Sequence, residues 1–165
     1  WPKLEQALRQ AISNLVAMRE TEGSNIYGDF IKRADLIAEK LAVIEERSPQ
    51  VVEEYQIRLS DRINELLAKH NQVIEPERLL QEVAIFADRT SITEEIVRLK
   101  SHIKQFRLII DADQPVGRKL DFLIQEFNRE ANTIASKAND YTLAQVVVEI
   151  KAEIEKIREQ IQNIE

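Results

Sequence analysis

A chain of 165 residues with 29 acidic and 23 basic side chains, net −6, is ill-suited to general polyanion binding, which needs a surplus of Lys and Arg. The absence of cysteine excludes disulfides and thiolate metal sites and leaves the redox compartment open. Only three glycines and four prolines, with 32% charged residues, predict an almost wholly helical, all-α chain.

The first apolar set is Leu4, Leu8, Ala11, Leu15 and Met18, followed by Ile26, Phe30, Ala34, Ile37, Leu41 and Ile44. Spacings of three and four run almost unbroken across Gly23 and Gly28, so one long helix or two in line are expected, weakest at Gly23. Ser48 and Pro49 read as the N-cap and first residue of a second helix, to about Lys69, with Val52, Tyr55, Leu59, Ile63 and Leu66 inward. Residues 1–70 therefore read as an elongated, coiled-coil-like antiparallel hairpin, and 71–165 as a C-terminal helical bundle. Trp1 and Met18 are expected to make apolar contacts, and His70-Asn71-Gln72 to form a loop with a solvated His70.

Pro76 opens a short helix to about Ala87. Ser91-Ile92-Thr93-Glu94 matches a capping box, ahead of the stripe Ile92, Ile96, Leu99, Ile103, Phe106 and Ile110. After a turn over 111–114, a helix near Pro115 has an apolar stripe of Val116, Leu120, Leu123, Phe127, Ala131, Ile134 and Ala138. The last helix, from about Thr142, carries a heptad seam from Leu143 to Ile164 that serves packing within the chain or between chains. No apolar run approaches the roughly 18 residues of a membrane span, and no signal-peptide pattern is present.

The helix after Pro115 has an unusual polar face, mixing Phe122, Gln125, Glu126, Arg129, Thr133 and Ser136 with flanking Lys119, Glu130, Asn132 and Lys137. A merely solvated face is usually filled with interchangeable Glu and Lys; this mixture suits a ligand or subunit contact. Glu126 and Glu130, one turn apart, can converge on a cation, and such hard oxygen ligands suit Mg²⁺ or Mn²⁺. Arg129 between them can clamp a phosphate or simply balance the carboxylates. Asp88 and Arg89, at a helix junction, offer a further metal ligand and a phosphate contact, or a cap and an interhelical salt bridge.

Glu95, Arg98 and His102 follow one another at spacings of three and four. His102 is suited to proton transfer near neutral pH, or to a structural bridge with Glu95. From Arg98 to Lys119 the chain has Arg98, Lys100, Lys104, Arg107, Arg118 and Lys119 against Asp111 and Asp113, a local basic excess that serves phosphate contact or plain solvation. Phe122 is placed to stack on an unpaired base or to bury against another helix.

GRKLDFLIQEFNREANTIASKAND, with VEIKAEIEKIREQIQNIE at the C-terminus, MRETEG (Met18 to Gly23) and EVAIFADRTSITEEIVRLKSHIKQF (Glu82 to Phe106), resembles the YicC-like bacterial endoribonucleases. The resemblance spans nearly the whole chain. It implies the C-terminal half of such a protein, lacking the separate N-terminal domain with which members begin, so weak activity of this half alone is expected. It further implies metal-dependent hydrolytic cleavage of single-stranded or hairpin RNA by a cytoplasmic homo-oligomer, hexameric in characterised relatives. On that reading His102, Glu126, Arg129 and Glu130 are the catalytic candidates. Arg89, Arg98, Arg118, Lys119, Phe122 and Lys137 are the RNA-binding candidates, and Asp88, Glu126 and Glu130 hold Mg²⁺ or Mn²⁺. The competing reading is a non-catalytic helical oligomerisation module, which explains the amphipathic stripes equally well.

Overall fold

The computed structural model describes residues 1–68, 75–112 and 114–164; the expected loop around His70 lies outside them. The described residues are all-α, in five helices: α1 (Pro2–Ala68), α2 (Pro76–Arg89), α3 (Thr93–Ile110), α4 (Gly117–Lys137) and α5 (Tyr141–Ile161). None is long and apolar enough to cross a membrane.

The expected break at Ser48-Pro49 does not occur, and with it goes the hairpin over 1–70: α1 is one helix of 67 residues with Pro49 inside. Proline in a helix interior lacks an N–H and costs about 3 kcal/mol, so something must hold the chain straight through it. Arg47 spans the site. Its guanidinium donates to Gln50 at 3.2 Å, to Glu54 Oε2 at 2.9 Å, two turns on, and to Asp140 Oδ2 at 2.8 Å. Asp140 is also the N-cap of α5, accepting from the Leu143 amide at 2.9 Å. One side chain thus ties both sides of Pro49 to the start of the last helix. The folding back expected at Pro49 happens after Ala68 instead, where α2 returns along the end of α1 and Phe86 stacks on Tyr55 at 3.7 Å.

The middle of α1, from Phe30 to Val51, forms a four-helix bundle with α3, α4 and α5, whose packing order around the axis is α1, α3, α4, α5. Cross-bundle pairs fix the directions. Arg33–Glu153 at 2.8 Å and Lys40–Glu149 set α5 antiparallel to α1; Lys100–Glu45 at 2.6 Å and Tyr27–Asp111 at 2.7 Å do the same for α3. Alternating up-and-down helices turn the stripes of α3, α4 and α5 into the core, and the α5 positions Leu143, Val147, Ile150, Ile154, Ile157 and Ile161 are all buried. The α5 seam packs within the chain. A single core joins α1 to α3, α4 and α5, across the boundary expected at residue 70. An aromatic ladder crosses it, with Phe30–Phe106 centroids 5.4 Å apart and Phe106–Phe127 6.0 Å apart.

Two other local expectations change. The capping box at Ser91 does not form: the N-cap of α3 is Ile92, with no side-chain cap, and Ile92 is buried in the core. Burial of the Ile92 side chain sets the start of that helix. The first turns of α1 project beyond the bundle, so Trp1 and Met18 are exposed and lie outside the core, as do Leu4, Leu8 and Leu15.

Phe106→Ala is expected to lower unfolding stability by about 3–5 kcal/mol, read from a urea titration, because it removes the middle rung of the ladder. Stability should also fall in acid. The guanidinium of Arg47 holds the Asp140 carboxyl below its ordinary value of 3.8, and that of Glu54 below 4.5. A carboxylate with a depressed folded-state pKa contributes stability that is present above the unfolded value and lost as pH falls through the folded one. The urea midpoint is therefore expected to drop below about pH 4, and Arg47→Met to flatten that drop.

Candidate functional site

Helix α4 packs on α3 along one flank and on α5 along the other. At 100° per residue its core stripe is centred on Leu120, Phe127 and Ala131. Lys119, Glu126, Glu130 and Lys137 line the α3 flank; Asp121, Asn128 and Asn132 line the α5 flank. Phe122 and Arg129 ride the outer crest. The mixed polar face noted in the sequence is thus two seams and a ridge.

On the α3 flank, His102, Glu126 and Glu130 each bring one ligand atom to within 4.8 Å of the others. Antiparallel packing does this: His102, half-buried at the edge of the α3 stripe, meets the α4 pair as the helices run past each other. Glu130 is only 3% exposed, a rare state for a carboxylate, and its closest cation is Arg98 at 3.9 Å, beyond hydrogen-bonding distance. His102 Nδ1 is buried without a hydrogen-bond partner. The ring lies against Phe127 with centroids 6.3 Å apart, so the aromatic ladder of the core ends on the imidazole and fixes its plane. An imidazole and two carboxylates, one of them almost dry, form a donor set fitted to a divalent cation or to a shared proton.

The neighbouring turn holds a different pair. Glu95, 5% exposed, accepts from Lys137 Nζ at 2.8 Å. Burial pushes the Glu95 carboxyl up, but the Lys137 ammonium, with Arg98 adding to it, outweighs that and holds it below the usual carboxylate range. Glu95 therefore does not bridge to His102, and the expected RNA contact Lys137 is engaged in an ion pair.

The other candidates separate clearly. Asp88 and Arg89 are exposed at the end of α2, and Asp88 is not in the cluster; the residue that lies with Glu126 and Glu130 is His102. Arg98 also pairs with Glu94 at 3.0 Å, and Arg129 lies 3.6 Å from Glu126. Arg118 and Lys119 are exposed, with no ion pair among the described residues. Phe122 is 68% exposed, one turn before Glu126, so it is not buried against another helix of this chain. Much of the basic excess is spent on structure: Lys100 pairs with Glu45, and Arg107 with Asp35. Sequence reasoning passed over Asn128 and Arg158, which line a groove on the α5 flank with Gln125, Arg129 and Asn132. The signal for them was weak, since Arg158 sits in an ordinary run of alternating charges.

The arrangement is that of an all-helical protein with a carboxylate–imidazole cluster set into a helix seam. The chain belongs to the YicC-like endoribonuclease family: the family described as "Endoribonuclease YicC-like, C-terminal" matches residues 44–165. It is similar to the probable endoribonuclease YicC of Clostridioides difficile (strain 630), 52% identical over all 165 residues, which are 56% of that relative. It is also similar to the probable endoribonuclease YicC of Haemophilus influenzae (strain ATCC 51907 / DSM 11121 / KW20 / Rd), 37% identical over 96% of this chain and 54% of that protein. The chain thus spans about half the length of these curated relatives.

Lys137→Met is expected to destabilise the fold by about 1–3 kcal/mol, less than for a fully enclosed pair because the lysine end reaches water. Thermal unfolding checks it; a change within error would mean that Glu95 does not depend on this partner.

Proposed function

We propose that this chain is the catalytic region of a metal-dependent endoribonuclease that hydrolyses phosphodiester bonds in single-stranded or hairpin RNA. The observation that carries the reading is the convergence of His102 from α3 with Glu126 and Glu130 from α4. Family membership supports the RNA; the cluster supports the chemistry. The donor set fits a cation on two counts: a buried ring nitrogen of His102 has no partner, and Glu130 is almost dry with no hydrogen-bonded cation. One imidazole with two carboxylates suits Mn²⁺ better than Mg²⁺, which prefers oxygen and water. A bound divalent cation supplies Lewis acidity toward a phosphoryl oxygen and lowers the pKa of water.

The chain's own residues divide the remaining work. His102 and Glu130 form the inner pair of the set, held by Phe127 and the core. Glu126 is the member that reaches solvent, with its side chain 45% exposed, so its carboxylate oxygen takes the proton of the attacking hydroxyl or water. Arg98 and Arg129 flank the cluster and hold the phosphate through charge-assisted hydrogen bonds. Phe122 offers a stacking face for an unpaired base, and Arg118 and Lys119 add phosphate contacts at the start of α4. A cytoplasmic location and a homo-oligomer belong to the same proposal; the exposed row Leu4, Leu8, Leu15 and Met18 supports self-association.

Cleavage of a labelled RNA hairpin, with and without Mn²⁺, tests the reading. Glu126→Gln combined with Glu130→Gln should lower the rate on the order of a hundredfold or more and abolish Mn²⁺ binding measured calorimetrically. Full activity in that double variant rejects the cluster as the site, and loss of oligomers without loss of metal binding makes the face an assembly surface.

A further inference from the structure

The α5 flank of α4 carries a second feature, separate from the cluster. Between α4 and α5 runs a shallow groove of about 540 Å³, lined by Gln125, Asn128, Arg129, Asn132, Glu155 and Arg158. Its arginines differ from those that tie the helices together. Arg33, Arg47 and Arg107 each donate a hydrogen bond to a carboxylate on another helix, at 2.8, 2.8 and 2.5 Å, and so serve the fold. Arg129 and Arg158 meet only a carboxylate one turn away on their own helix, at 3.6 and 3.8 Å. Neither contact is a hydrogen bond, and exposed pairs of this kind hold their charges weakly. Asn128 and Asn132 make no side-chain hydrogen bond among the described residues.

We propose that this groove holds a single-stranded stretch of RNA and leads it over the crest of α4 to the cluster, with Arg158 as a phosphate contact and Asn128 and Asn132 as base-edge contacts. The chemistry of the lining selects the occupant. Guanidinium groups with unused donors grip phosphate or stack on bases, and carboxamides both donate to and accept from base edges. A protein partner would call for exposed aromatic or aliphatic anchors, and the groove has none: its one large apolar residue, Ile124, is wholly buried. Arg129 supplies the continuity. It lines the groove and lies beside Glu126, a member of the cluster, so a strand along α5 meets Arg129 before it meets the carboxylates. The direction of travel rests on the reading of the cluster as the cleavage site; the binding of the strand does not.

The two are separated by measuring binding without cleavage. Fluorescence anisotropy of a labelled single-stranded RNA, with divalent metal left out, is recorded for the 165-residue chain and its variants across a salt series. Arg158→Ala is expected to weaken binding about tenfold and to reduce the salt slope by about one, with Arg158→Lys restoring most of both. Asn128→Ala with Asn132→Ala should weaken binding and leave the salt slope unchanged, since amides release no counterions. Mn²⁺ affinity and melting temperature should stay at wild-type values in all of these. Unchanged RNA affinity in both sets, absence of RNA binding by the wild-type chain, or a changed sedimentation mass in the groove variants would overturn the proposal, the last by making the groove a contact between copies. Should Glu126→Gln with Glu130→Gln retain cleavage while Arg158→Ala loses RNA, the cluster reading fails and the groove stands.

Discussion

Because α4 is packed on two flanks at once, its polar side chains cannot all face water, and everything distinctive about this chain follows from where they are sent. A helix at the rim of a bundle buries one stripe and solvates the rest. Here the apolar arc is wide enough, from Leu123 round to Ile124, to draw α3 and α5 onto either side. The residues just beyond that arc are then half-buried by their neighbours. Glu130 falls into that zone and has to be compensated there, since removing a carboxylate from water without a partner costs several kcal/mol. Arg98 at 3.9 Å offers only partial relief, which is why the seam has the character of a receptive site more than of a finished salt bridge.

The aromatic ladder gives that seam its rigidity. Phe30, Phe106 and Phe127 run from α1 through α3 to α4, and His102 lies against the last ring. An imidazole on a mobile surface turn could not hold a fixed donor position. One resting on the core can, and the cost of keeping it there is spread over the packing of three helices. Glu95 and Lys137 close the next turn of the same seam, so the cluster is bounded by an ion pair on one side and by solvent at Phe122 and Glu126 on the other.

The helices and their buried stripes were legible from periodicity, since an apolar repeat of three and four dictates which face must leave water. The stripes of α3 and α5 were read residue by residue. Where the reading failed, a local signal lost to a longer-range one. Ser48-Pro49 has the composition of a helix start, yet Arg47 reaches Glu54 and Asp140, a partner 93 residues away, and carries the helix through. Ser91 has the composition of a capping box, yet the core claims Ile92 and shifts the start. At the site, the convergence of Glu126 with Glu130 follows from their spacing, but their meeting with His102 depends on the register of α3 against α4. No pattern within one helix encodes that register. Asp88, which the sequence offers either as a further ligand or as a cap and salt-bridge partner, is exposed at the end of α2 and outside the cluster.

The unbroken course of α1 has a mechanical consequence. At 1.5 Å per residue a helix of 67 residues is a rod about 100 Å long, of which the bundle grips only the middle third or so. The grip works as a fulcrum. A tilt of about 10° at the point where the rod leaves the bundle displaces the helix at Trp1 by about 6 Å, and does so without breaking a single backbone hydrogen bond. A load applied near Trp1 would therefore be felt first at Ile26 and Phe30, at the foot of the same ladder of rings that ends on His102.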